Sequence, residues 1–337
     1  MTDLDDQGAE HGSLRKQAKD PEVFRHGMVR VALAYIVALA VGAATWLALS
    51  PHLSPLWATF AADVAGTLAI FAFSFAHRNS SFYDAYWSVA PLAIAGLWAA
   101  LPSEAPWARK LLVLALVAWW GVRLTVNWAR SWTGLDHEDW RYVDLKRKSG
   151  KGYWLVSLTG LHLFPTVQVF LGLLAAWAPL AAGSRPLGWL DAVAFLVTAG
   201  AIAIEQRADD ELDAFLRTRQ PGQILDTGIW AHSRHPNYFG EMSFWWGLWL
   251  FTLAADPAYA WTAIGPLAIT LMIVFISIPM LDTRSRARRP GYEAYAERTR
   301  AFLPLPKLGG RKASGGGRRR PRAGAPAAPP AARAPRG

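Results

Sequence analysis

The chain has 337 residues, of which 53% are hydrophobic, only 18% are charged, 18 are Trp and none is Cys. Water-soluble domains carry about a quarter charged residues, so this composition argues against one, and the missing cysteines exclude disulfides, zinc–thiolate centres and a cysteine nucleophile. The net charge of +10 does not signal nucleic-acid binding: nine Lys or Arg and no acid fall in 307–337, leaving +1 for everything else.

Residues 1–27 are too polar and acidic for a secretory signal and predict a cytosolic lead-in. Apolar runs then approach or exceed the roughly 20 residues needed to cross a bilayer. They cover 28–50, 56–77, 83–101, 109–129, 153–180, 187–205, 236–255 and 259–281. The predicted fold is an all-α, polytopic membrane bundle of seven or eight spans, because Pro91 interrupts the third run; Pro165 predicts a kink in the fifth. The basic clusters at 146–151 and 284–289 fall on one side of this arrangement, together with the 78–82 and 206–235 loops. Excess Lys and Arg mark the cytoplasmic side, so both termini are expected there. No internal repeat is evident. Residues 306–337, rich in Gly, Ala, Pro and Arg, predict a disordered basic arm resting on anionic lipid headgroups, with no specific nucleic-acid role.

Polar residues inside the runs are the candidates for chemistry, since ionisable groups at membrane depth are costly and usually have a functional partner. Asp63 interrupts the second span, Tyr83 and Asp84 open the third, and His162 and Gln168 lie in the fifth. Asp84 also suits a helix N-terminus, where its charge complements the dipole. Arg123, Asn127 and Arg130 form a stripe at i, i+4 and i+7, followed by Asp136, His137, Glu138 and Asp139. That acidic run has no metal-ligand spacing, so no metal site is expected. Glu205 and Asp209 share a helical face; Arg207, Asp209 and Asp210 are groups suited to a phosphate and a ribose, although a solvated amphipathic helix has the same pattern.

The most informative stretch is "SRHPNYFGE", 233–241. Pro236 suits the first turn of a helix, which makes His235 the cap and puts Arg234 just outside. Asn237 and Glu241 share a face at i,i+4, with Tyr238 beside Glu241 at i,i+3. Gly240 permits a close approach by a backbone or ligand. A helix N-terminus flanked by arginine suits phosphate, whereas Arg, His and Tyr alone would equally suit an interfacial anchor. An anchor does not explain Glu241, which lies beyond the first turn. After the last span, Tyr292, Tyr295 and Arg298 fall near one helix face, a composition shared by nucleotide clefts and membrane-surface helices.

"LDTGIWAHSRHPNYFGE", "RPGYEAYAERTRAFLP", "SFYDAYWSVAP" and "GLDHEDWRYVDL" together resemble the steroid 5-alpha-reductase superfamily, in its bacterial DUF1295 branch, over roughly 80–305. The resemblance implies an integral-membrane reductase of the bacterial inner membrane. Such an enzyme uses NADPH to reduce a C=C bond in a hydrophobic small molecule, with its cofactor cleft facing the cytoplasm within 205–305. Carried over by motif, Asn237, Tyr238 and Glu241 hold the nicotinamide or its ribose. Arg234 and His235 sit near phosphate, Asp209 or Asp210 near the nucleotide, and Tyr292, Tyr295 and Arg298 complete the cleft. Asp63, Tyr83 and Asp84 are the candidates for the catalytic proton donor, which in steroid reductases is a Tyr–Glu pair. Membrane methyltransferases of the prenylcysteine and phospholipid type share an "RHPxYxG" stretch and bind S-adenosylmethionine there. That alternative remains open, as does a non-enzymatic lipid-binding scaffold.

Overall fold

The computed structural model describes residues 20–136 and 138–305. The N-terminal lead-in, His137 and the basic tail lie outside them. Twelve α-helices follow one another, and no named strand occurs among the described residues. They are α1 (Pro21–Leu49), α2 (Pro55–Ala76), α3 (Tyr86–Ala100), α4 (Trp107–Ser131), α5 (Trp140–Ser149), α6 (Tyr153–Val156) and α7 (Phe164–Leu173). After these come α8 (Trp189–Thr218), α9 (Pro236–Ala255), α10 (Ile264–Met272), α11 (Ile278–Arg288) and α12 (Tyr292–Arg298). Six helical runs are long and apolar enough to cross a membrane. Side chains such as Ile36, Leu47, Leu155, Leu196 and Phe275 point outward at 65–70% exposure, as expected of a surface solvated by lipid.

Every apolar run of the sequence becomes helical, with two instructive differences. The third is short: a 3₁₀ turn over Ser80–Tyr83 precedes α3, and Pro91 is accommodated inside it. The fifth and last runs are not uniform α-helices. π-helical turns occupy Ser157–Leu163, just before Pro165, and Ile273–Ser277, just before Pro279. Proline lacks an N–H and crowds the carbonyl four residues back, so the preceding turn widens. Helix α8, formed by the sixth run, is also longer than that run, continuing to Thr218 and carrying Glu205 to Asp210 in its body.

Two large hydrophobic cores result, besides a small cluster of Tyr292, Tyr295 and Ala296 in α12. The larger joins α3, α4, α7, α8 and α9 around Trp98, Trp120, Phe244, Trp245 and Phe251, all buried; the smaller joins α1, α2 and the 80–83 turn around Phe82, Tyr83 and Tyr86. Gly240 is small because α8 needs the space: a Cβ there would lie 2.6 Å from Glu205 Cβ and 2.8 Å from the Ala201 carbonyl. The close approach anticipated at Gly240 is therefore that of a neighbouring helix. At the opposite end of the bundle, Arg109 is fully buried. Its Nε and Nη2 donate to Asp191 at 2.7 and 2.9 Å, and its remaining N–H groups reach the carbonyls of Arg185, Pro186 and Ala254.

Candidate functional site

Glu241 lies one turn inside α9, among indoles. Trp120 Nε1 donates to its Oε2 at 2.9 Å, and Trp245 Nε1 to its Oε1 at 2.8 Å. Trp120 is itself fixed by stacking on Phe244, with ring centroids 4.9 Å apart and planes 5° from parallel. Beside this carboxylate, Arg123 of α4 reaches Asp209 Oδ2 at 2.8 Å and Glu205 Oε2 at 2.6 Å on α8. Asn127 donates to the same Asp209 oxygen at 2.9 Å. Three carboxylates thus gather around one guanidinium in an apolar bundle. The Glu205 contact lies off the hydrogen-bond direction, and Arg123 Nε is buried without a hydrogen-bond partner.

An open cleft of about 240 Å³ leads to this cluster between α4 and α8. Its polar wall carries Arg123, Asn127, Arg130, Asp209 and Asp210, and its lip Trp119, Val122 and Val126. The i, i+4, i+7 stripe of α4 and the acids of α8 are therefore two walls of one site. Arg207 faces elsewhere: it is exposed and pairs with Glu211 one turn on.

Arg234, His235 and the final tyrosines form a different assembly. Asp282 of α11 accepts from Arg234 Nη2 at 2.7 Å and from the Tyr292 hydroxyl at 2.6 Å, and its Oδ1 lies 2.8 Å from His235 Nε2. Arg234 Nη1 donates to the carbonyls of Thr299 and Ala296, and its backbone N–H to Arg300. Tyr295 donates to the Trp230 carbonyl at 2.6 Å. Burial first, then the Asp282 carboxylate, pushes the Tyr292 phenol up to about 12. His235 caps α9 by position, with no side-chain hydrogen bond to the helix, and its ring stacks on Tyr238. These residues brace α12 and the 299–302 strap against the start of α9, with the Arg234 charge turned inward. Arg298 is exposed and pairs with Asp226. No hydrogen bond joins the half-buried Asn237 amide to another described residue.

A third group lies deeper. Asp63, Tyr83, Tyr86 and Thr166 line an enclosed cavity of about 10 Å³ between α2, α3 and α7, closed by Trp87, Phe170 and other apolar groups. The Tyr83 hydroxyl is 2.7 Å from Thr166 Oγ1, which is 2.8 Å from Thr67 Oγ1. No hydrogen bond joins Asp63 to another described residue. Asp84 sits apart, accepting from the Tyr142 hydroxyl at 2.6 Å. The structure thus brings Asp63 and Tyr83 together and leaves Asp84 outside their cavity. Trp87 of the cavity packs edge-on against Trp120, a donor to Glu241, with ring centroids 5.9 Å apart.

Sequence reasoning singled out neither Trp120, Trp245 nor Asp282. An acid in the apolar run "FISIPMLD" carried the same signal that marked Asp63 and Glu241, whereas an indole among 18 gives none.

Fold and site together define an α-helical membrane protein with a polar cleft and a buried acid–phenol cavity set side by side. The chain belongs to the family of proteins of unknown function DUF1295, whose model matches residues 70–299. An uncharacterized protein of Schizosaccharomyces pombe is 26% identical over 259 residues, covering 67% of this chain and 73% of that protein. No solved structure matches.

Proposed function

We propose that this protein is a membrane reductase that uses NADPH to reduce a C=C bond conjugated to a carbonyl in a hydrophobic substrate of steroid, isoprenoid or lipid type. The observation that carries the reading is the α4–α8 cleft, which gathers Arg123, Asn127, Asp209 and Asp210 next to the buried Glu241. Hydride transfer needs a cofactor and an acceptor held against each other, with a proton donor at the acceptor's oxygen.

The α4–α8 cleft fits a nucleotide cofactor by its donor set. Arg123 and Asn127 line it beside the acids, Arg130 offers a cation, and Asp209 and Asp210 offer acceptors. NADPH, when bound, supplies the hydride. Glu241, locked by two indoles, is positioned to accept from an amide or ribose hydroxyl. Arg234 and His235 act at one remove, since their bonds to Asp282 fix where α9 begins and hence where Glu241 sits. The Tyr83 hydroxyl, held by Thr166 with Asp63 beside it, is the candidate proton donor; its void of about 10 Å³ has room for one water, so a substrate reaches it only when α2, α3 and α7 separate. An apolar substrate would approach from among the membrane helices, and the basic loops favour a cleft that faces the cytoplasm.

Calorimetry on the detergent-purified chain tests this with NADPH, NADH and S-adenosylmethionine as probes. Saturable NADPH binding, weakened at least about tenfold, or 1.4 kcal/mol, in a folded Glu241→Gln variant, is the expected result. Binding of S-adenosylmethionine alone makes the protein a methyltransferase instead. Binding of none leaves a lipid-binding scaffold.

A further inference from the structure

Helices α5 and α11 carry seven Lys or Arg between them, and five of these have a carboxylate. On α5, Arg141 pairs with Asp139, Lys146 with Glu138, and Arg147 and Lys148 with Asp144. On α11, Arg286 pairs with Glu293 at 2.7 Å. Arg284 and Arg288 are the exceptions: neither forms an ion pair or a hydrogen bond with another described residue. Arg284 is nevertheless held in place. Its guanidinium lies over the Trp140 ring, 3.4 Å from the centroid, and both residues are half-buried. An indole covers one face of a guanidinium and leaves the in-plane N–H groups pointing outward. The stack thus fixes a cation whose donors are unused, which is costly away from open water unless an anion takes them.

The setting identifies the anion. Met280, Arg284 and Arg288 follow at i,i+4 spacing and share one face of α11. That face begins in lipid: Met280 is 39% exposed, and Phe275 in the turn before it is 70% exposed. At 1.5 Å of rise per residue, Arg284 lies about 6 Å beyond Met280 and Arg288 about 12 Å beyond it. The headgroup layer is about 5–8 Å deep on each side of the hydrocarbon, so the face passes from acyl chains to phosphates at Arg284. Trp140 is the kind of aromatic that such a boundary selects. Val143, three residues further along α5 and so on the same face, is an apolar side chain left 54% exposed.

We infer that Arg284 and Arg288, with Trp140 as the stacking platform, bind the phosphate of an anionic phospholipid whose acyl chains lie along the Met280 face of α11. Arg284 gives parallel N–H···O bonds to the phosphate oxygens, and Arg288 adds a second positive charge. A zwitterionic lipid offers the same phosphate, but its own ammonium group repels that second guanidinium, so the pair selects a net negative headgroup. Arg286, turned towards Glu293, takes no part. None of these residues lines the α4–α8 cleft, so the lipid site stands apart from the reductase reading.

Nine further cations in 307–337 would also attract anionic lipid, so the readout must be local. The full chain contains no cysteine, so Val143→Cys places a single fluorophore beside Trp140. The labelled chain is reconstituted without cofactor in phosphatidylcholine vesicles, and quenching by brominated phosphatidylglycerol is compared with quenching by brominated phosphatidylcholine. The expected preference for phosphatidylglycerol is at least about tenfold, for two arginines near a membrane surface. It should fall to within about twofold of parity when Arg284→Gln and Arg288→Gln are combined, and stay unchanged in Arg286→Gln, which removes the same charge from the other side of α11. Trp140→Leu keeps both charges and removes the platform, and should lower the preference about threefold. Equal quenching by the two lipids in the parent, or an equal loss in Arg286→Gln, overturns the site. So does a loss of NADPH binding in the double variant with its lipid preference intact, which would give the two arginines to a soluble phosphate.

Discussion

Replacing Asp282 by alanine should be among the most damaging single changes at the mouth of the bundle. The carboxylate accepts from Arg234 and Tyr292 at 2.7 and 2.6 Å and meets His235 at 2.8 Å. Hydrogen bonds to a charged group contribute about 1.5–3 kcal/mol each, but three that share one acceptor are not additive. The controlling cost is the guanidinium left behind, whose side chain is only 10% exposed. Breaking a buried pair by removing one partner costs about 3–5 kcal/mol. The bonds from Arg234 to the carbonyls of Thr299 and Ala296 survive the change, which favours the lower end, about 3 kcal/mol. Against a total of about 5–15 kcal/mol, that is a large fraction. Equilibrium unfolding in mixed micelles measures the loss, and limited proteolysis across 289–305 should show the strap released first. Tyr292→Phe deletes one bond of the three and should cost about 1.5 kcal/mol. The reasoning is refuted if Asp282→Ala stays within about 1 kcal/mol of the parent, or if Tyr292→Phe costs as much.

Three further outcomes follow from the same geometry. Gly240→Ala forces a Cβ to 2.6 Å from Glu205 Cβ and should cost about 1–3 kcal/mol by overpacking α8 on α9, read from the thermal midpoint. Gly96→Ala, where nothing lies within 4 Å, should be neutral or stabilise by about 0.4–1 kcal/mol, and serves as the control. Arg109→Met alone should lose about 3–5 kcal/mol, much of it regained on adding Asp191→Leu, since the pair's cost is dominated by whichever charge is stranded.

The spans were legible because lipid imposes one requirement on every residue of a crossing helix, and hydropathy records it position by position. Partners were not. The stripe Arg123, Asn127, Arg130 announced that α4 needed polar company, but the company, Asp209, lies 86 residues from Arg123. Glu241 was legible as a buried acid needing donors, whereas the two indoles that satisfy it look in sequence like any other lipid-facing Trp. Tyr292 and Tyr295 have the composition of a nucleotide cleft and the geometry of a brace; only the inward turn of their hydroxyls separates the two. Arg109 escaped notice because an arginine near the end of a span normally reaches for headgroups, and nothing local says that this one is enclosed.

The Arg109 cage also has a history in time. Its carboxylate partner is 82 residues further along, and two of its carbonyls, on Arg185 and Pro186, come from the connection that precedes that partner. At about 5–20 residues per second of synthesis, α4 waits roughly 4–16 s for its counter-ion to be made. During that interval a helix bearing an unpaired guanidinium stands at the membrane beside the half-made bundle. The first half of the protein therefore cannot complete its own far end until the second half arrives.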